Sequence, residues 1–310
     1  MLESIGYLIL GLAVLIVGGE ILVKGAVGTA LKFKVSTLVI GLTVVSFGTS
    51  APELLVSLQA AGEGKPGIAI GNVIGSNIAN LALVLGVTCI IFPILVRRAT
   101  LKVDWSFMML SSLLLFAFMM DGLIAWYEGM IMFILLIIYN VWSVRRSRKE
   151  KVELDDPIDD EIKPMYYYVL LIIAGCVGLI FGSEWLLEGA IGIATEFNVP
   201  DNVIGATIVA FGTSVPELAT SAIAAFRKET DISIGNLIGS NIFNILCILG
   251  ITPMVKEITF DTSVLGNEMI WMLVVSFLIL PLSFRTLKID RWKGVLYTLI
   301  YIAFCYQIIF

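Results

Sequence analysis

The sequence contains no histidine, which removes a His-based catalytic triad, a His-ligated zinc or iron, a His-ligated haem and a histidine proton relay. Its four cysteines (Cys89, Cys176, Cys247 and Cys305) stand singly in apolar stretches without a CxxC pair. They read as small core hydrophobes, neither a disulfide framework nor a thiolate metal site. Charge is scarce as well: only 15% of residues are Asp, Glu, Lys or Arg, and the stretch 130–139 carries none. The net charge of -5 argues against a nucleic-acid partner. What fills the space is apolar. Of 310 residues 58% are hydrophobic and the mean hydropathy is +0.98, a composition that excludes soluble enzyme folds and points to a membrane protein.

A helix needs about 20 mostly apolar residues to cross the hydrocarbon core. The chain offers ten such stretches, at 4–23, 37–61, 68–94, 103–120, 124–144, 165–188, 202–226, 232–254, 265–284 and 292–309. The first lacks the basic leader and small-residue cleavage site of a signal peptide. With the N-terminus outside, the loops after spans 1, 3, 5, 7 and 9 hold eighteen of the twenty basic residues, leaving only Lys65 and Lys256 opposite. That asymmetry is what the positive-inside rule demands. It predicts an all-α, ten-helix protein of the plasma membrane with both termini extracellular.

One internal offset aligns the chain with itself. At a shift of 164, Val39–Leu54 matches Val203–Leu218, and Gly71-Asn-Val-Ile-Gly-Ser-Asn-Ile-Ala-Asn80 matches Gly235-Asn-Leu-Ile-Gly-Ser-Asn-Ile-Phe-Asn244; Glu20 also falls on Glu184. Each copy holds five spans, and an odd number makes the second copy enter from the opposite side. The expected organisation is therefore a first five-helix repeat at 1–144, a cytoplasmic linker at 145–164 and an inverted repeat at 165–310. Inverted repeats are typical of secondary transporters, whose substrate site lies near the midplane where the copies meet.

The repeated motifs hold the chemistry. Glu53 and Glu217 fall midway through spans 2 and 7, where an ionised side chain costs about 2.5 to 3.5 kcal/mol on insertion scales. Neither motif contains a Lys or Arg, so a mobile cation is the expected counter-charge; the competing reading keeps both acids protonated and hydrogen-bonded across helices. Pro52 and Pro216 lack the amide hydrogen that would reach the carbonyls of Gly48 and Gly212, and a break there turns the carbonyls near Thr49 and Thr213 into ligands. Ser50, Ser214, Ser76 and Ser240 add hydroxyls, and Asn80 and Asn244 add amide oxygens. An all-oxygen set points to Ca²⁺, Mg²⁺, Na⁺ or K⁺ and away from zinc or copper. Two carboxylates suit one calcium, which accepts six to eight oxygens in a forgiving geometry; two or more sodium ions would neutralise them equally. The GxxxG glycines (Gly71, Gly75, Gly235, Gly239) read as close helix packing. The pairs Asn72/Asn236 and Asn77/Asn241 are left out of the site, and Glu20 and Glu184 read as solvated or interfacial groups near helix ends.

At these residues the sequence resembles the calcium/cation antiporter superfamily, and most closely the prokaryotic sodium/calcium exchangers. Gly48-Thr-Ser-Ala-Pro-Glu53 and Gly212-Thr-Ser-Val-Pro-Glu217, each followed by Gly-Asn-x-x-Gly-Ser-Asn, carry the resemblance over essentially the whole chain. It implies ten helices in two inverted halves, four central cation sites, three sodium ions exchanged per calcium, and spans 1 and 6 sliding over a rigid remainder. It further implies that Glu53, Glu217 and the carbonyls of Thr49 and Thr213 hold calcium. Ser50, Ser76, Ser214 and Ser240 would complete sodium sites, with backbone oxygens from Ser46 and Ala210. The expected function is sodium/calcium exchange by alternating access, with Ca²⁺ and Na⁺ as substrates, no cofactor and no obligate protein partner; a proton- or potassium-coupled exchanger is the alternative. Many relatives carry an aspartate at one position matching Asn80 or Asn244. Both are amides here, which sets the expected central charge at -2 and counts against potassium. A cation channel and an intramembrane protease are the competing classes; the chain carries its pseudo-symmetric site internally, unlike a multisubunit channel filter.

Overall fold

A computed structural model of the chain describes residues 1–149, 163–197, 212–260 and 262–309. Ala210, the first part of the expected seventh span and the acidic linker stretch 155–161 fall outside them. The described residues form eleven helices: α1 (Leu2–Phe33), α2 (Thr37–Thr49), α3 (Ala51–Gly62), α4 (Pro66–Ile91), α5 (Thr100–Asp121), α6 (Trp126–Lys149), α7 (Met165–Glu196), α8 (Val215–Phe226), α9 (Thr230–Val255), α10 (Thr262–Ser283) and α11 (Arg291–Ile309). There are eleven because the expected second span is two helices, bent by 46° at Ser50. Seven helices are long and apolar enough to cross a membrane alone, and α2 with α3 makes an eighth. Two fall short: α8 has 12 residues, and α11 begins with Arg291 and Lys293.

Hydropathy placed the ends of two helices too early. α1 continues ten residues past the expected end and α7 eight, because a charge that ends an apolar run does not end a helix. α1 stops only where Lys34 adopts a left-handed conformation (φ 54°), with the Lys34 and Val35 amides returning to Leu31 and Ala30, the usual closure of a helix C-terminus. Glu20 therefore sits well inside α1, ion-paired with Arg227 just beyond α8. Likewise α6 runs through Arg145, Arg146 and Arg148, so the linker's first residues are helical.

α4 and α9 form the centre: most residues along their apolar lengths are buried, whereas most of those in the other single-helix spans are not. α1 and α7 lie antiparallel at its side along a seam of glycines. Gly18 meets the backbone of Leu179 and Gly175, and a Cβ on Gly175 would come within 2.7 Å of the Leu22 amide. In lipid the helices gain from such close approach because apolar burial adds no drive to association.

Four two-residue strands tie the halves together. Ile94–Leu95, after α4, pairs antiparallel with Lys288–Ile289, before α11; Leu123–Ile124, before α6, pairs with Ile258–Thr259, after α9. Each ribbon takes one strand from each copy of the repeat. The 164-residue shift carries Ile94 onto Ile258 and so maps one ribbon roughly onto the other.

Candidate cation-binding site

The site is built where the helices are irregular. Ser50 leaves the helical region (φ -90°, ψ 7°) and Ser214 does the same (φ -90°, ψ 4°), each just before a proline-led helix. Glu53 and Glu217 consequently lie in the first turns of α3 and α8, where unpaired amides favour a negative charge by about 0.3 to 1 kcal/mol. That is less than the cost of mid-membrane burial. Opposite them, α4 and α9 relax into π turns at Ala79–Val84 and Asn244–Ile248, a distortion that frequents functional sites. Asn80 and Asn244 sit at the starts of these turns.

Ser46, Thr49, Ser50, Glu53, Asn80, Ser214, Glu217, Ser240 and Asn244 are fully buried, Ser76 nearly so, and Thr213 is half-buried. One hydrogen bond joins the two motifs directly: Ser50 Oγ, three residues before Glu53, donates to Glu217 Oε1 at 3.1 Å. Thr49 Oγ1 donates to Asn236 Oδ1 at 3.1 Å and lies 3.4 Å from Ser240 Oγ; Ser46 Oγ bonds the carbonyls of Gly41 and Asn236. Both Glu53 carboxylate oxygens, Glu217 Oε2, Ser214 Oγ, both Asn80 amide atoms and Asn244 Oδ1 have no hydrogen-bond partner among the described residues. Ser76, one turn before Asn80, shares no hydrogen bond with the other candidates among the described residues.

Neither glutamate faces lipid, and among the described residues neither is ion-paired with a protein cation. No three Asp, Glu or Cys side chains cluster to hold a metal among those residues. The arrangement is two buried acids surrounded by neutral oxygens, several of them unclaimed. Buried polar atoms without partners are costly, and an oxygen-ligated cation is the species that would satisfy such a set. Asparagines outside the expected set also belong here. Asn236 accepts from Thr49 and donates to Ser221, Asn72 donates to the Glu53 carbonyl and to Ser57, and Asn77 accepts from Asn244. Their retention in both copies of the repeat was the available signal. The GxxxG expectation holds for Gly235 and Gly239, which abut Leu38, Gly41 and Leu42 on α2; the neighbours that the repeat assigns to Gly71 and Gly75, residues 202–210, lie outside the described residues.

A family model described as sodium/calcium exchanger protein matches residues 3–145 and 167–310. The chain belongs to the sodium/calcium exchanger family. It is thus a transporter and not an enzyme, with Ca²⁺ and Na⁺ as its transported substrates. This exchanger is 31% identical over 335 residues to the sodium/calcium exchanger MaX1 of Methanosarcina acetivorans, covering 96% of both chains. It is 37% identical over 304 residues to an uncharacterized membrane protein of Methanocaldococcus jannaschii, covering 97% of both. Its fold matches a solved structure of the sodium-calcium exchanger NCX_Mj, soaked with zero Na⁺ and Ca²⁺, with a TM-score of 0.83, 37% identity and 97% coverage of each chain.

Proposed function

We propose that this chain is a plasma-membrane antiporter that exchanges sodium for calcium by alternating access, with the ions competing for a midplane site built on Glu53 and Glu217. The observation that carries the reading is the pair of fully buried carboxylates from mirrored motifs, bridged through Ser50 and ion-paired to no protein cation among the described residues. Calcium occupies the two acids with the carbonyls of Thr49 and Thr213. Sodium ions occupy the flanking oxygens of Ser50, Ser76, Ser214, Ser240, Asn80 and Asn244, with backbone oxygens of Ser46 and Ala210. Both loads neutralise the same carboxylates, so binding is exclusive, and the empty doubly charged site resists the transition.

The proposal has ten crossings in two inverted halves, with α2 and α3 together counted as one crossing and α8 as part of another. The ribbons support this count. Leu123–Ile124 and Ile258–Thr259 are neighbours, so an even number of crossings separates them; α6, α7 and α9 make three, and α8 supplies the fourth. The antiparallel run of α1 against its repeat mate α7 supports the inversion. A difference between the two sides supports alternating access: α1 packs along α8, whereas α7 makes at most marginal contact with α3. In the orientation set by the basic loops, with both termini outside, α8 leads to the cytoplasm and the site is closed on that side.

The test is calcium uptake into proteoliposomes under sodium, potassium and proton gradients compared side by side. Uptake that follows the sodium gradient alone is expected. Uptake indifferent to sodium overturns the reading, and dependence on potassium or protons replaces it with the alternative exchanger.

A further inference from the structure

Asn244 presents its amide to the site in one orientation only, and the reason lies on two other helices. Its Nδ2 donates to Asn77 Oδ1 at 3.1 Å, which leaves Oδ1, buried and without a partner among the described residues, as the atom free to meet a cation. Asn77 is itself set. Its Nδ2 donates to Met272 Sδ at 3.5 Å, and a thioether sulfur accepts hydrogen bonds but cannot donate them. Reversing Asn77 would aim an oxygen at that sulfur and turn the Asn244 nitrogen into the site, where its N–H groups would repel a cation. Asn77 and Met272 are fully buried, on α4 and α10 respectively, so the relay runs across three helices.

The repeat mate behaves differently. Asn241, which the shift places on Asn77, donates instead to Leu237 of its own helix at 2.8 Å, and Asn80 has no partner for either amide atom among the described residues. The two amides of the site are therefore not equivalent: one is held with its oxygen forward, and the other has no such hold among the described residues.

We infer that Asn77 is a positioning residue that fixes the Asn244 amide with its oxygen toward the transported ions and thereby sets the exchanger's affinity for sodium. The inference rests on the proposed sodium/calcium exchange. Sodium is the sensitive load because its sites depend on neutral oxygens, whereas calcium is held chiefly by the two carboxylates.

Asn77→Leu keeps the number and branching of the side-chain heavy atoms and removes the acceptor. The sodium concentration for half-maximal exchange should rise roughly three- to tenfold, the equivalent of one buried hydrogen bond, while calcium–calcium exchange in sodium-free medium stays within twofold of the parent. Met272→Leu should shift sodium dependence in the same direction by a smaller factor, and Asn241→Leu should leave it within twofold. An unchanged sodium dependence in Asn77→Leu overturns the inference. So does an equal loss of calcium–calcium exchange, which marks general disruption, or an equal sodium shift in Asn241→Leu. If the parent protein's exchange ignores sodium, the proposed function has failed and the inference falls with it; a sodium-dependent parent with an unaffected Asn77→Leu sinks the inference alone.

Discussion

Replacing Glu53 with glutamine separates what the carboxylate costs the empty protein from what it gives the loaded one. The side chain is fully buried, and neither oxygen has a partner among the described residues. Insertion scales set the cost of such a charge at about 2.5 to 3.5 kcal/mol, and the helix N-terminus returns about 0.3 to 1. About 2 kcal/mol is left for a bound cation to offset. Glu53→Gln should therefore weaken calcium binding by roughly 30-fold or more and abolish sodium-driven uptake of radiolabelled calcium in proteoliposomes. The same change should stabilise the cation-free protein by about 2 kcal/mol, read as a higher melting temperature in detergent, and calcium should no longer raise that temperature. Glu217→Gln should stabilise the empty state less, because Glu217 already accepts from Ser50 at 3.1 Å. Normal uptake by Glu53→Gln, with a calcium-induced rise in melting temperature equal to the parent's, would refute the reasoning.

On the glycine seam, Gly175→Leu drives a side chain into the Leu22 backbone and should cost about 1 to 3 kcal/mol, visible as a lower melting temperature; an unchanged one argues against tight α1–α7 packing. In a cysteine-free background, Lys65→Cys and Lys256→Cys should react with an impermeant thiol reagent from outside intact cells, and Arg148→Cys and Arg285→Cys only after permeabilisation. Any reversal breaks the ten-crossing topology. Arg227→Gln removes the exposed pair with Glu20 and should change thermal stability by less than about 1 kcal/mol, so a large loss would mean the pair carries more than surface ion pairs do.

The acids, the prolines that break the helices before them and the hydroxyls around them were legible in the sequence, because the 164-residue offset prints each twice. Helix ends were not: Lys24 and Lys32 stop an apolar run, yet α1 passes through both. The π turns at Asn80 and Asn244 insert one residue per turn into apolar stretches that have no polar face to reveal a change of period. Asn77 and Asn236 were passed over for a different reason. An asparagine's role depends on which atom its neighbour claims, and the neighbours here come from helices more than 160 residues away in sequence.

The short ribbons have a consequence for how the molecule can come apart. Each clasps a strand from one copy to a strand from the other. Severing the connection after Lys149 would leave a nicked protein that still holds together. A first half made by itself would keep two clasps with nothing to fasten and a groove of bare glycines, each lacking the partner that the second half of the chain supplies.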